Sequence, residues 1–153
     1  MITNLKDNDC INILENNYVG QLSYIYLERP FIVPMTYFFD KKNSIVGYSE
    51  EGHKTKAMRN YRKVSLQVSE KTDSNTCNSV LVHGIYEELA GSVAKKYLHD
   101  FTEGIKAIIL KKEHKEMHCI ADFSKKRNLK KIPIVFRITI DEMTGKKITN
   151  ESS

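Results

Sequence analysis

The tightest constraint on this chain is a strict alternation in Val64-Ser65-Leu66-Gln67-Val68, the period of a strand buried on one face only. Similar runs precede and follow it. Tyr18 to Leu27 mixes Val19, Leu22, Tyr24 and Tyr26 with Gln21 and Ser23. Phe31 to Phe39, Ser44 to Ser49, Ser79 to Leu89 and Ile134 to Ile140 are further strand candidates. Pro34 predicts an edge position or a bulge for Phe31 to Phe39. Glu28-Arg29-Pro30 and Asp40-Lys41-Lys42-Asn43 carry turn chemistry, so consecutive strands pair as hairpins. Helical spacing appears in three places. Asp7 to Asn16 carries Cys10, Ile13 and Leu14 on one face, with Asp7 as the expected N-cap. Glu50 to Asn60 reads as a short helix with Ala57, Met58 and Tyr61 on one face. Ser92 to Lys112 forms one helix or two, because Gly104 weakens its middle. The residues after Ile140 read as a polar tail. The expected fold is mainly β and antiparallel with flanking helices; pattern alone leaves an open sheet and a barrel both possible.

With 153 residues and 41% apolar content, the chain is expected to form one domain over residues 1–153 that needs no metal or disulfide staple. Three scattered cysteines, Cys10, Cys77 and Cys119, suggest reduced thiols. The N-terminus lacks a secretory pattern and no apolar run approaches a membrane span, so a cytoplasmic protein is predicted. The net charge of +5 gathers late, at Lys111-Lys112, Lys125-Lys126-Arg127 and Lys130-Lys131. Without an aromatic-basic motif this reads as a solvated surface, and nucleic acid is not the expected partner.

Tyr48 to Lys54 combines a strand end, a glycine and a helix start bearing His53 and Lys54. A helix N-terminus offers unpaired N–H groups, and Ser49, His53 and Lys54 add donors suited to a phosphate. Glu50 and Glu51, placed in the first turn, favour an ordinary helix start and would repel that phosphate. Other constellations are weaker. His114 and His118 share a helical face beside Cys119, but a third metal ligand is not evident. Cys77 has no base fixed near it. Ser79 and His83, four apart on a strand, lie roughly 13 Å apart and cannot form a triad.

The ordered motifs resemble the flavin-binding split barrels related to pyridoxamine 5′-phosphate oxidase, in particular the subgroup of nitroimidazole-resistance proteins. These motifs are Val19-Gly20-Gln21-Leu22, Val33-Pro34-Met35-Thr36-Tyr37, Gly52-His53-Lys54, Lys63 to Val68, Asn78 to Gly84 and Ile138 to Lys146. The resemblance implies a split β-barrel that binds flavin mononucleotide (FMN). It implies ring contacts around Met35, Thr36 and Tyr37, and phosphate contacts from Tyr48, Ser49, His53 and Lys54. Ser79 would face the flavin from the next strand pair. His53 stands where relatives carry arginine, which removes a fixed bidentate donor. The resemblance also implies a homodimer with flavin at the subunit interface. The function it implies is a flavin-dependent oxidoreductase, nitroreductase-like in one version, on an unknown small molecule. The alternative is a non-catalytic flavin- or haem-binding barrel. Pyridoxamine phosphate oxidation itself is not expected: the chain has no Trp and lacks that enzyme's C-terminal segment.

Overall fold

The computed structural model describes residues 1–113 and 133–150. Eleven elements follow in order: β1 (Ile2–Asn4), α1 (Asp7–Glu15), β2 (Val19–Tyr26), β3 (Arg29–Thr36), β4 (Phe38–Phe39), β5 (Ser44–Ser49), α2 (His53–Asn60), β6 (Lys63–Lys71), β7 (Thr76–Glu88), α3 (Gly91–Glu113) and β8 (Ile134–Thr149). Every strand pairing is antiparallel. The sheet runs β3-β2-β6-β7-β8-β5-β4, with β1 added on β8.

This ladder is not closed by hydrogen bonds. Its two ends, β3 and β4, are successive pieces of one chain run separated only by Tyr37. One stretch therefore pairs with β2 through its first part and with β5 through its second. Pro34 lies on β3, an edge strand, where a missing N–H is tolerated. The result is the split-barrel arrangement, mainly β with three flanking helices among the described residues.

The interior is filled from alternate strand positions: Leu22, Leu66, Val68, Val80, Val82, Phe136 and Ile138 are buried. Each such side chain contributes about 1.5–3 kcal/mol by leaving water. Cys10, Ile13 and Leu14 of α1 join this core. On the other side of β5, Val46 packs with Phe101, Ile105 and Ile109 of α3.

Four expectations need correction. Asp7 is the first helical residue, and Lys6, with no side-chain cap, holds the N-cap position. Gly104 does not break α3. A Cβ there would lie 2.1 Å from the Phe38 ring, so the glycine admits close packing of helix on strand. The segment after Ile140 is no tail: β8 continues to Thr149, paired with β7 on one side and β1 on the other. The α2 helix begins at His53, so Glu50 and Glu51 precede it. The His114, His118 and Cys119 group and the lysines beyond 113 fall outside the described residues. No helix among the described residues is long and apolar enough to cross a membrane.

Two turns show how side chains set the register. Asp40 Oδ1 accepts the backbone N–H groups of Lys42, Asn43 and Ser44 at 2.8, 3.1 and 3.0 Å, which fixes the β4–β5 hairpin. The β2–β3 hairpin instead forces Leu27 and Glu28 to φ values of 50° and 64°, a conformation suited to Asn-Gly. The double substitution Leu27→Asn with Glu28→Gly should stabilise the fold by about 1–2 kcal/mol through relief of this strain. Thermal denaturation reads this as a rise of several degrees; an unchanged melting temperature would remove strain from the account.

Candidate functional site

Helix α2 starts without an acidic residue in its first turn and without a side-chain cap. The Gly52 N–H donates to Thr55 Oγ1 and the Thr55 hydroxyl donates to the Gly52 carbonyl, both at 3.0 Å. The Lys56 N–H begins the helical ladder on the Gly52 carbonyl. The N–H groups of His53, Lys54 and Thr55 thus point off the helix end, with the positive partial charge of its dipole.

Lys54 sits half-buried at this end. Burial pulls its ammonium pKa down, and among the described residues no carboxylate forms an ion pair with it. The nearby Glu51 is engaged elsewhere. Arg59, in the last turn of α2, grips it through two hydrogen bonds and also bonds Glu88. Arg59 holds the Glu51 carboxyl below its ordinary range. Arg59 thus partly offsets the repulsion expected from Glu51.

His53 is fixed by aromatic neighbours. Its ring meets Tyr26 and Phe31 edge-on at 4.9 Å between centroids. Tyr24 Oη lies 3.0 Å from Nδ1. When the phenol donates, the proton of neutral His53 sits on Nε2, available to a ligand. Ser49 Oγ donates to the Glu50 carbonyl at 3.0 Å. The Tyr48 ring packs edge-on against Phe101 of α3, so its side chain serves that packing.

The residues expected near the flavin ring separate by strand parity. Met35 and Tyr37 point into the core and Thr36 points out. The Tyr37 hydroxyl donates to the Leu14 carbonyl at 2.9 Å, and burial pushes its pKa far up. Tyr37 is therefore a core residue through its side chain. Tyr37→Phe should cost about 1 kcal/mol, the net value of one hydrogen bond, plus the burden of an orphaned carbonyl. It should leave any bound flavin in place. Chemical denaturation and the visible spectrum check the two halves separately.

Thr36 belongs to an outward polar shelf. Val19 pairs with Thr36, Gln21 with Gln67, and Ser69 with Ser79, so β3, β2, β6 and β7 carry Thr36, Gln21, Gln67, Ser69 and Ser79 side by side. Gln67 Nε2 donates to Ser69 Oγ at 2.5 Å and Ser79 Oγ at 2.8 Å. Gln67 was not singled out from sequence, although its outward parity and its partner across the hairpin were readable there. On the same face, Ser65 stands opposite His83, with Oγ 2.6 Å from Nδ1; Ser79 and His83 do not meet.

The strands that lead to the α2 end and to the shelf meet β8 toward opposite ends. Tyr48 and Ser49 pair with Val135 and Ile134, near the start of β8, whereas Ser79 pairs with Lys146 near its end, roughly 36 Å apart measured along the strand.

The topology and the split edge define the class: an antiparallel split barrel. Comparison with known proteins agrees. The structure superimposes on an FAD-binding protein from Mesorhizobium loti with a TM-score of 0.74 and 25% identity, covering 97% of this chain and 99% of that one. A protein from Bacteroides thetaiotaomicron assigned to 5-nitroimidazole antibiotic resistance shares the fold at a TM-score of 0.71 and 16% identity, covering 96% and 87%. An uncharacterized protein of Rhizobium meliloti is 29% identical, covering 90% of this chain and 89% of its own length. The family model for pyridoxamine 5′-phosphate oxidase matches residues 6–147. The chain belongs to that family.

Proposed function

We propose that this protein is a homodimeric, cytoplasmic FMN-binding flavoprotein that reduces a small molecule. The observation that carries the reading is Lys54: a half-buried ammonium without an ion pair among the described residues, at an uncapped helix N-terminus. A desolvated cation without a counter-ion costs free energy in the empty protein, and a phosphate would offset that cost. One ammonium and one helix end suit a single terminal phosphate, hence FMN. The similarity to an FAD-binding protein supports a flavin.

The residues divide the work as follows. Lys54, the N–H groups of residues 53–55 and Nε2 of His53 bind the phosphate. Ser49 adds a hydroxyl at the strand end. Thr36, Gln67 and Ser79 offer polar contacts for the ring. Since the two groups sit toward opposite ends of β8, one flavin would take its phosphate donors from one protomer and Ser79 from its partner, which makes the dimer a requirement of the site. The bound flavin would supply hydride or electron transfer.

Catalysis has its own test. With bound FMN and reduced nicotinamide, turnover of a nitroimidazole supports the nitroreductase version; no turnover of that or other small acceptors favours a flavin carrier. Sedimentation should show a dimer when flavin is bound, and a flavin-loaded monomer would contradict the shared site.

A further inference from the structure

The polar shelf runs into a cavity that no expected site residue lines. It measures about 410 Å³ and is walled by Asn17, Tyr18, Gly20, Gln21, Gln67 and Lys112, among others. Small-molecule sites begin at roughly 300 Å³. Its floor adjoins the shelf, because Gly20 pairs with Met35, Val19 with Thr36, and Gln67 bonds Ser79.

The cation of this cavity is placed by two helices. Asn17 is buried, and its Nδ2 donates to the Ile13 carbonyl at the end of α1 at 2.8 Å. With that amide held, its Oδ1 faces α3 and accepts a hydrogen bond from Lys112 Nζ. An ammonium has three donors; this contact uses one. Among the described residues no carboxylate forms an ion pair with Lys112 and no Asp or Glu lines the cavity. The simplest structural role of Lys112 is to complement the C-terminal end of α1, which has no basic residue in its own last turn. Lys112 is exposed, so that role leaves two ammonium donors free at the mouth of a cavity that also offers the Gln21 amide. Tyr18 and Val19 supply the apolar side.

We propose that this cavity binds a small carboxylate with an unsaturated or aromatic body, with Lys112 as the residue that selects the anion. It rests on the flavin reading only in calling this ligand the molecule reduced beside the ring; binding itself does not need flavin.

The test compares benzoate with neutral benzamide by calorimetric titration of the purified full chain. Benzoate should bind more tightly than benzamide. Lys112→Met should weaken benzoate about tenfold, the value of one charge-assisted hydrogen bond, and leave benzamide unchanged. Lys112→Arg should keep the preference for benzoate. Melting temperatures of both variants guard against loss of the Asn17 contact: a folded Lys112→Met that still prefers benzoate overturns the proposal. So does equal affinity of the wild type for the two probes, or binding of neither. The visible spectrum separates this from the flavin reading. A colourless protein that discriminates the probes keeps the anion site and loses the flavin; a yellow one that does not discriminate does the reverse.

Discussion

Lys54→Met should lower FMN affinity by about 10- to 100-fold, the loss of about 1.5–3 kcal/mol carried by a hydrogen bond to a charged group. The same change should leave the flavin-free protein at least as stable as before. Lys54 has no ion pair among the described residues to lose, and methionine keeps the apolar stem while removing a charge that is costly to bury. This opposite behaviour of binding and stability separates a ligand-binding lysine from a structural one. Lys54→Arg should retain most of the affinity. The pH dependence has a fixed sign. A phosphate favours the charged ammonium, whereas burial in the free protein disfavours it. Affinity should therefore fall as pH rises through the lowered pKa of Lys54, at a lower pH than an exposed lysine would give. Titration of flavin fluorescence against the apoprotein measures all of this. Unaltered affinity in Lys54→Met would move the phosphate elsewhere.

Gly84→Ala should be the most damaging small change in the barrel, costing about 3 kcal/mol. A Cβ at Gly84 would lie 2.4 Å from the Thr139 carbonyl oxygen and 2.6 Å from Ile138 Cγ2. The first obstacle is backbone of the paired strand, which cannot rotate aside as a side chain can. The position also marks the β-bulge: His83 pairs with Glu142 but Gly84 with Ile140, leaving Asp141 as the extra residue of β8. The bulge lies within the two longest strands, with buried Val80 and Val82 on one side of it and buried Tyr86 on the other. Loss of this geometry should lower the denaturant midpoint sharply. A change below about 1 kcal/mol would mean that the strands separate there without strain.

Sequence patterning captured the elements whose burial is one-sided. Ser44–Ser49 forms β5 with the expected bounds, and Val64, Leu66 and Val68 fill the core while Ser65 and Gln67 face out. Patterning missed the second half of β8 because those residues are held by pairing with β7, and at Lys146–Ile148 also with β1, more than by burial. Glu142, Thr144, Lys146 and Lys147 are exposed, so no apolar rhythm marks them. Short β1 is exposed throughout and equally silent. At the α2 end, Ser49, His53 and Lys54 were legible from their chemistry. Three facts that give that end its character were not. Arg59 engages the Glu51 carboxylate, Tyr24 Oη hydrogen-bonds with His53 Nδ1, and Lys54 has no ion pair among the described residues; each depends on contacts formed only in the fold. Tyr37 shows the converse. Its motif suggested a ring contact, and one residue of parity put its side chain in the core.

Whether the α2 end holds the phosphate of a flavin is decided by the absorbance spectrum of the purified protein. The protein should be yellow with a flavin band at about 450 nm, and on denaturation it should release FMN, the form with one terminal phosphate. A colourless protein that fails to bind added FMN would contradict it, as would a haem spectrum in place of the flavin band.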